Sequence, residues 1–151
     1  MTATVGWLAQ PAVLPWLALV FGFAMGSFLN VVIHRLPKML EREWRAECAE
    51  ILGQPAAEPP QTPHYSLWVP RSACPKCGHR IRALENVPII SWLALRGKCS
   101  ACRAPISAKY PLVELLAGVG AAYSSWRFGA TLPALGATLF IWFTIALAVI
   151  D

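Results

Sequence analysis

Leu14-Pro-Trp-Leu-Ala-Leu-Val-Phe-Gly-Phe-Ala-Met-Gly-Ser-Phe-Leu-Asn-Val-Val-Ile33 contains no charged side chain, and neither does any residue before it. At a helical rise of about 1.5 Å per residue the stretch reaches about 30 Å, the thickness of a bilayer's hydrocarbon core. It reads as a first transmembrane helix and decides the class. With 56% hydrophobic residues and a mean hydropathy of +0.49, the chain is too apolar for an ordinary soluble domain. The first basic residues, His34 and Arg35, follow the apolar run instead of preceding it, which is the reverse of a cleaved secretory signal.

Outward from this helix, Pro111 to Trp126 and Leu132 to Ile150 form two more apolar segments, the second running directly into Asp151. Arg127-Phe-Gly-Ala-Thr131 between them is long enough only for a tight turn, so the two segments make a helical hairpin. All Lys and Arg except Arg127 lie between Arg35 and Lys109. Basic residues stay on the cytoplasmic side, which places that loop in the cytoplasm and the Arg127 turn outside.

The loop carries the chemistry. Cys74-Pro-Lys-Cys77 and Cys99-Ser-Ala-Cys102 are paired knuckles, each offering two thiolates from one turn, as a tetrahedral four-cysteine zinc site requires. A reducing cytoplasm counts against disulfides and for a metal. Four thiolates close the coordination shell, so a zinc ion held by Cys74, Cys77, Cys99 and Cys102 would be structural. Iron accepts the same four ligands. Lys76, Arg80, Arg82, Lys98 and Arg103 offset the centre's negative charge, and His79 reads as a surface residue. The net charge of +5 does not indicate nucleic-acid binding, because the basic residues follow no nucleic-acid motif; anionic lipid headgroups fit better.

Lys38 to Leu52 has amphipathic helical spacing, with Leu40, Trp44, Cys48 and Ile51 or Leu52 on one face, and is expected to lie on the membrane surface with Cys48 as a buried small hydrophobe. Pro55, Pro59, Pro60 and Pro63 then mark a linker. The expected fold is an all-α polytopic membrane protein. Its three transmembrane helices carry a cytoplasmic four-cysteine zinc-ribbon-like loop. Residues 1–36 hold the first transmembrane helix, 37–68 the amphipathic helix and linker, 69–109 the metal module and 110–151 the hairpin.

The spans carry signals of their own. Ala18, Gly22, Gly26 and Asn30 recur every four residues, a small-residue stripe that lets a neighbouring helix approach closely, with Asn30 hydrogen-bonding across the contact. Glu114 is expected as an interfacial carboxylate at the positive end of its helix dipole. Asp151 closes an apolar helix, where an acid is either solvated at the membrane surface or functional. Arg96-Gly97-Lys98 forms a tight turn that needs Gly97.

Gly26-Ser-Phe-Leu-Asn-Val-Val-Ile-His-Arg-Leu-Pro37, the first knuckle, Asn86-Val-Pro-Ile-Ile-Ser-Trp-Leu-Ala-Leu-Arg-Gly-Lys-Cys99 and Ile106-Ser-Ala-Lys-Tyr-Pro-Leu-Val-Glu-Leu-Leu116 closely resemble the N-terminal half of bacterial type 4 prepilin peptidases. The resemblance covers about residue 20 to the end. It implies a polytopic enzyme of the bacterial inner membrane that cleaves the basic leader from type IV prepilins and pseudopilins. The enzyme then methylates the exposed N-terminal residue, usually phenylalanine, with S-adenosylmethionine. It also implies that Asp151 is the first of two catalytic aspartates. The second, in a Gly-x-Gly-Asp motif, has no counterpart in the sequence, so the expectation is an N-terminal part of a longer enzyme. There is no Gly-rich adenosyl-binding fingerprint, and no residue is assigned to methyl transfer. Two other classes fit the cysteines: a membrane-tethered four-cysteine iron electron carrier, and a non-enzymatic zinc-stapled assembly subunit.

Overall fold

A computed structural model describes residues 10–53, 66–69 and 71–150. Four helices account for most of it: α1 (Leu14–Ile51), α2 (Ile90–Ala94), α3 (Lys109–Phe128) and α4 (Leu132–Ile150), with a single 3-10 turn at Ala83–Asn86. The described residues form two isolated β-bridges and no sheet. α1 and α4 are long and apolar enough to cross a membrane. α3 has the length, but Lys109, Glu114, Ser124, Ser125 and Arg127 lower its hydropathy, so by composition alone it does not join them.

Pro15 sits in the first turn of α1, where its missing N–H costs nothing. The helix then continues through Pro37 to Ile51, 38 residues without an end at residue 36. The amphipathic segment is thus the distal part of the same helix. Proline removes one backbone hydrogen bond, but the helix-forming residues on either side of it carry the helix on. Cys48, expected to be buried, is exposed, because among the described residues nothing packs on this stretch. The proline linker of residues 55–63 lies outside the described residues.

The turn between α3 and α4 is as short as its sequence requires. Gly129 takes φ 65° and ψ −158°, open only to glycine, and its N–H closes onto Ser125 C=O at 2.8 Å.

The core is made by α3 lying along α1, with α4 against both. A Cβ at Gly22 would stand 2.7 Å from Ala117 O and Gly118 Cα, and one at Gly26 would stand 2.6 Å from Glu114 Cα. Backbone therefore meets backbone where the stripe predicted close approach. Phe23 in turn fills the space over Gly118. Asn30 donates to Tyr110 C=O at 3.0 Å, one end of the stripe, and Ala18 packs on the core at the other. Ala117, Ala121 and Trp142 form the buried centre, and the Trp142 indole donates to Ala117 C=O at 3.1 Å. In lipid such internal satisfaction is obligatory.

Candidate metal centre

The two knuckles are built on one plan, repeated 25 positions apart. In the first, Cys74 N–H donates to His79 C=O at 2.9 Å, Gly78 N–H to Cys74 C=O at 2.9 Å and Ile81 N–H to Ser72 C=O at 3.0 Å. In the second, Cys99 N–H donates to Ala104 C=O at 2.8 Å, Arg103 N–H to Cys99 C=O at 3.1 Å and Ile106 N–H to Gly97 C=O at 2.7 Å. A bridge closes each loop, Ala73 with Arg80 and Lys98 with Pro105. The residue after each second cysteine must turn left-handed: Gly78 has φ 70° and Arg103 φ 60°.

The loops bring the Sγ atoms of Cys74, Cys77, Cys99 and Cys102 within 4.8 Å of one another, and Cys74 Sγ stands 3.7 Å from Cys102 Sγ. A tetrahedral ion with Zn–S bonds of about 2.3 Å sets its sulfurs about 3.8 Å apart, so the donor set fits a metal. The thiols differ in acidity. The backbone N–H groups of Cys77 and Lys76 point at the Cys74 sulfur and draw its pKa down to about 6. At Cys77 the His79 N–H acts in the same direction, but the bond to Cys102, burial and the other two sulfurs outweigh it and push the pKa up to about 12. The Cys74 thiolate forms readily, and Cys77 resists a second charge beside it.

His79 is neither a ligand nor a free surface residue. Half-buried, its Nε2 lies 3.3 Å from Glu85 Oε2. Glu85 also accepts the Arg82 N–H at 2.9 Å and the Ser100 hydroxyl, and these donors hold its carboxyl down at about 2. Glu85 thus ties the first knuckle to the second. Nothing in its local sequence marks this role apart from its being the single acid between Arg71 and Lys109.

Hydrogen bonds tie the loop to the helices and to itself. Arg35, buried near the middle of α1, donates to Ser66 C=O at 2.8 Å and Leu67 C=O at 3.3 Å, while Trp68 stacks near Phe28 at 5.9 Å. Trp92 Nε1 donates to Ile106 C=O at 3.2 Å. Most unusual is Glu114. It is buried within the protein: Oε2 accepts the Ile89 N–H at 2.7 Å, and the Ser27 hydroxyl of α1 donates to the same carboxylate. Ile89 has φ 58° and ψ −48°, and Ile90 N–H reaches back to Pro88 C=O at 2.5 Å, a tight three-residue turn that a β-branched residue adopts only under constraint. The sequence signal available was an acid inside an apolar helix. Gly97, at φ 66° against the Trp92 ring, supplies the turn expected of it, and its N–H is spent on Trp92 C=O at 2.8 Å. Asp151 lies outside the described residues.

A family model described as the bacterial peptidase A24 N-terminal domain matches residues 20–128. Among curated proteins, the chain is 52% identical over 134 residues to a prepilin leader peptidase/N-methyltransferase of Stutzerimonas stutzeri, covering 89% of this chain and 46% of that protein. It is 53% identical over 142 residues to one of Aeromonas hydrophila, covering 91% and 49%. With one of Burkholderia pseudomallei strain 1026b it shares 49% identity over 154 residues, covering 99% and 50%. The chain spans about half the length of the curated relatives it matches. No solved structure matches it.

Proposed function

This chain belongs to the bacterial peptidase A24 N-terminal domain family, and from that premise we propose that it forms the N-terminal part of an enzyme of the bacterial inner membrane. The enzyme cleaves the leader of type IV prepilins and pseudopilins and methylates the new N-terminal residue with S-adenosylmethionine. The observation that carries the reading is family membership across α1, the cysteine module and α3, with relatives named for both activities. The placement of the module supports it, because Glu114 and Trp92 seat the knuckles at the start of α3.

In this reading α1, α3 and α4 all span the membrane. The carbonyl-directed bonds of Asn30, Trp142 and Ser125 make α3 tolerable in lipid despite its polar residues. The module faces the cytoplasm, where the basic residues concentrate. Cys74, Cys77, Cys99 and Cys102 hold zinc, which supplies folding free energy to a segment with little apolar core. Asp151 is one of two carboxyls that share a proton at the scissile bond, one ionised to activate water and the other protonated to polarise the carbonyl. The partner acid belongs to the Gly-x-Gly-Asp motif that the resemblance implies.

The test is processing of a purified prepilin, read by mass spectrometry of its N-terminus, with an enzyme of the relatives' full length carrying this sequence. Asp151→Asn is expected to lower cleavage by at least a thousandfold while leaving zinc content unchanged. Normal cleavage by that variant would refute the assignment of Asp151. Unmethylated, uncleaved product from an unsubstituted enzyme would refute the function.

A further inference from the structure

We infer that Arg96, Lys98 and Arg103 form a binding site for the phosphate of an anionic phospholipid headgroup at the edge of the cysteine module. The inference rests on the reading of α1, α3 and α4 as membrane spans given above and not on the proposed chemistry.

The repeat of the two knuckles exposes the first reason. Residue 78 and residue 103 occupy the same place in the same hydrogen-bonded loop, each at a left-handed φ. The first knuckle uses glycine, which takes that conformation freely; the second puts an arginine there against its steric preference. Arg96 is a second arginine at positive φ, 52°. Backbone strain at two cationic positions is accepted on one side of the module only.

Both residues line a cavity of about 370 Å³, together with Lys98, Ser100, the metal-centre Cys99 and the short segment at Ala94 and Leu95. No Asp or Glu side chain lines it. Between Arg71 and Lys109 eight Lys and Arg face one acid, Glu85, which is engaged by His79, Ser100 and the Arg82 N–H. Four thiolates around a divalent ion offset two of those positive charges, so a positive excess remains.

The cavity's position selects the ligand. Ile89 is tied to Glu114, the sixth residue of α3, and Gly97 C=O is bonded to Ile106, three residues before α3 begins. The segment from Ile89 to Lys98 therefore lies level with the first turns of α3, at the depth where that helix enters the bilayer. There α2 exposes Ile90 and Leu93, 66% and 61% accessible. Apolar side chains beside a cavity that gathers Arg96, Lys98 and Arg103 match a lipid that offers acyl chain on one side and phosphate on the other.

Native mass spectrometry of the detergent-purified protein titrated with phosphatidylglycerol and with phosphatidylcholine tests the site, with zinc content measured alongside. The variant Arg96→Gly, Lys98→Gln, Arg103→Gly should keep its metal and weaken phosphatidylglycerol binding by about fivefold for each cation removed, leaving phosphatidylcholine unchanged. Arg71→Gln, Lys76→Gln, Arg80→Gln removes equal charge from the first knuckle and should have little effect. Equal loss from both triples would reduce the effect to net charge and overturn the site, as would full binding by the first. Displacement of the lipid by inorganic phosphate at equal concentration would also overturn it in favour of a free anion. Should the triple variant lose its metal, Arg103→Gly alone decides, since Gly78 already shows that glycine suits that loop: a fivefold loss supports the site and none refutes it.

Discussion

The helical bundle and the cysteine module are held together by opposite means. The bundle depends on atoms that are missing: without a Cβ at Gly22 and Gly26, α1 and α3 come close enough for carbonyl and Cα atoms to touch. The module depends on four atoms being present, since Cys74, Cys77, Cys99 and Cys102 converge where almost nothing else is buried. One region tolerates change at its exposed positions and fails when a small residue grows. The other tolerates almost any neighbour and fails when a sulfur is lost.

The largest effect should follow from Cys74→Ser with Cys99→Ser. Structural four-thiolate sites contribute on the order of 10 kcal/mol, so elemental analysis should find the metal gone and proteolysis should open residues 71–106, with helicity of the bundle retained. Collapse of the bundle as well would break the contrast. Next comes Gly26→Leu, which drives a side chain into the α3 backbone at Glu114 and should cost about 3 kcal/mol, read as a lower thermal midpoint in detergent with zinc unaffected. Glu114→Ala joins the two regions. It strands the Ile89 N–H at a cost of about 1–3 kcal/mol and should weaken zinc retention against a chelator by about tenfold. Glu114→Gln, which keeps an acceptor, should recover most of that. The smallest effect is a titration. In metal-free protein the ultraviolet thiolate signal should gain one sulfur near pH 6, because ionised Cys74 is favoured above its lowered pKa, and Cys74→Ser should remove that step. A first ionisation near 9 would mean that the knuckle geometry needs the metal.

The same contrast explains what the sequence disclosed. Cysteine spacing and the Ala18–Asn30 stripe are local patterns with one structural meaning each, and both places were found where they were expected. The α3–α4 turn was equally legible from the five-residue length of Arg127 to Thr131. Glu114 was not, because an acid near a helix start has a bland reading on the dipole, and its partner Ile89 lies 25 residues away in a turn that no local propensity favours. Nor was Glu85, whose partners converge only after both knuckles fold. Helical spacing over Lys38 to Leu52 was legible, but not that this helix continues α1 through Pro37, because a proline inside a helix gives no local sign of whether the helix resumes at once.

The unbroken α1 has a mechanical meaning. Its 38 residues extend about 57 Å, nearly twice the hydrocarbon thickness of about 30 Å, so with α1 set across a bilayer as proposed, close to half the rod would stand clear of the lipid as a lever arm. Helices answer a change in bilayer thickness by tilting, and a tilt of about 10° swings the tip of such an arm by roughly 5 Å. Trp44 and Ile51, exposed on that arm, would be carried sideways with it, converting lipid thickness into lateral displacement.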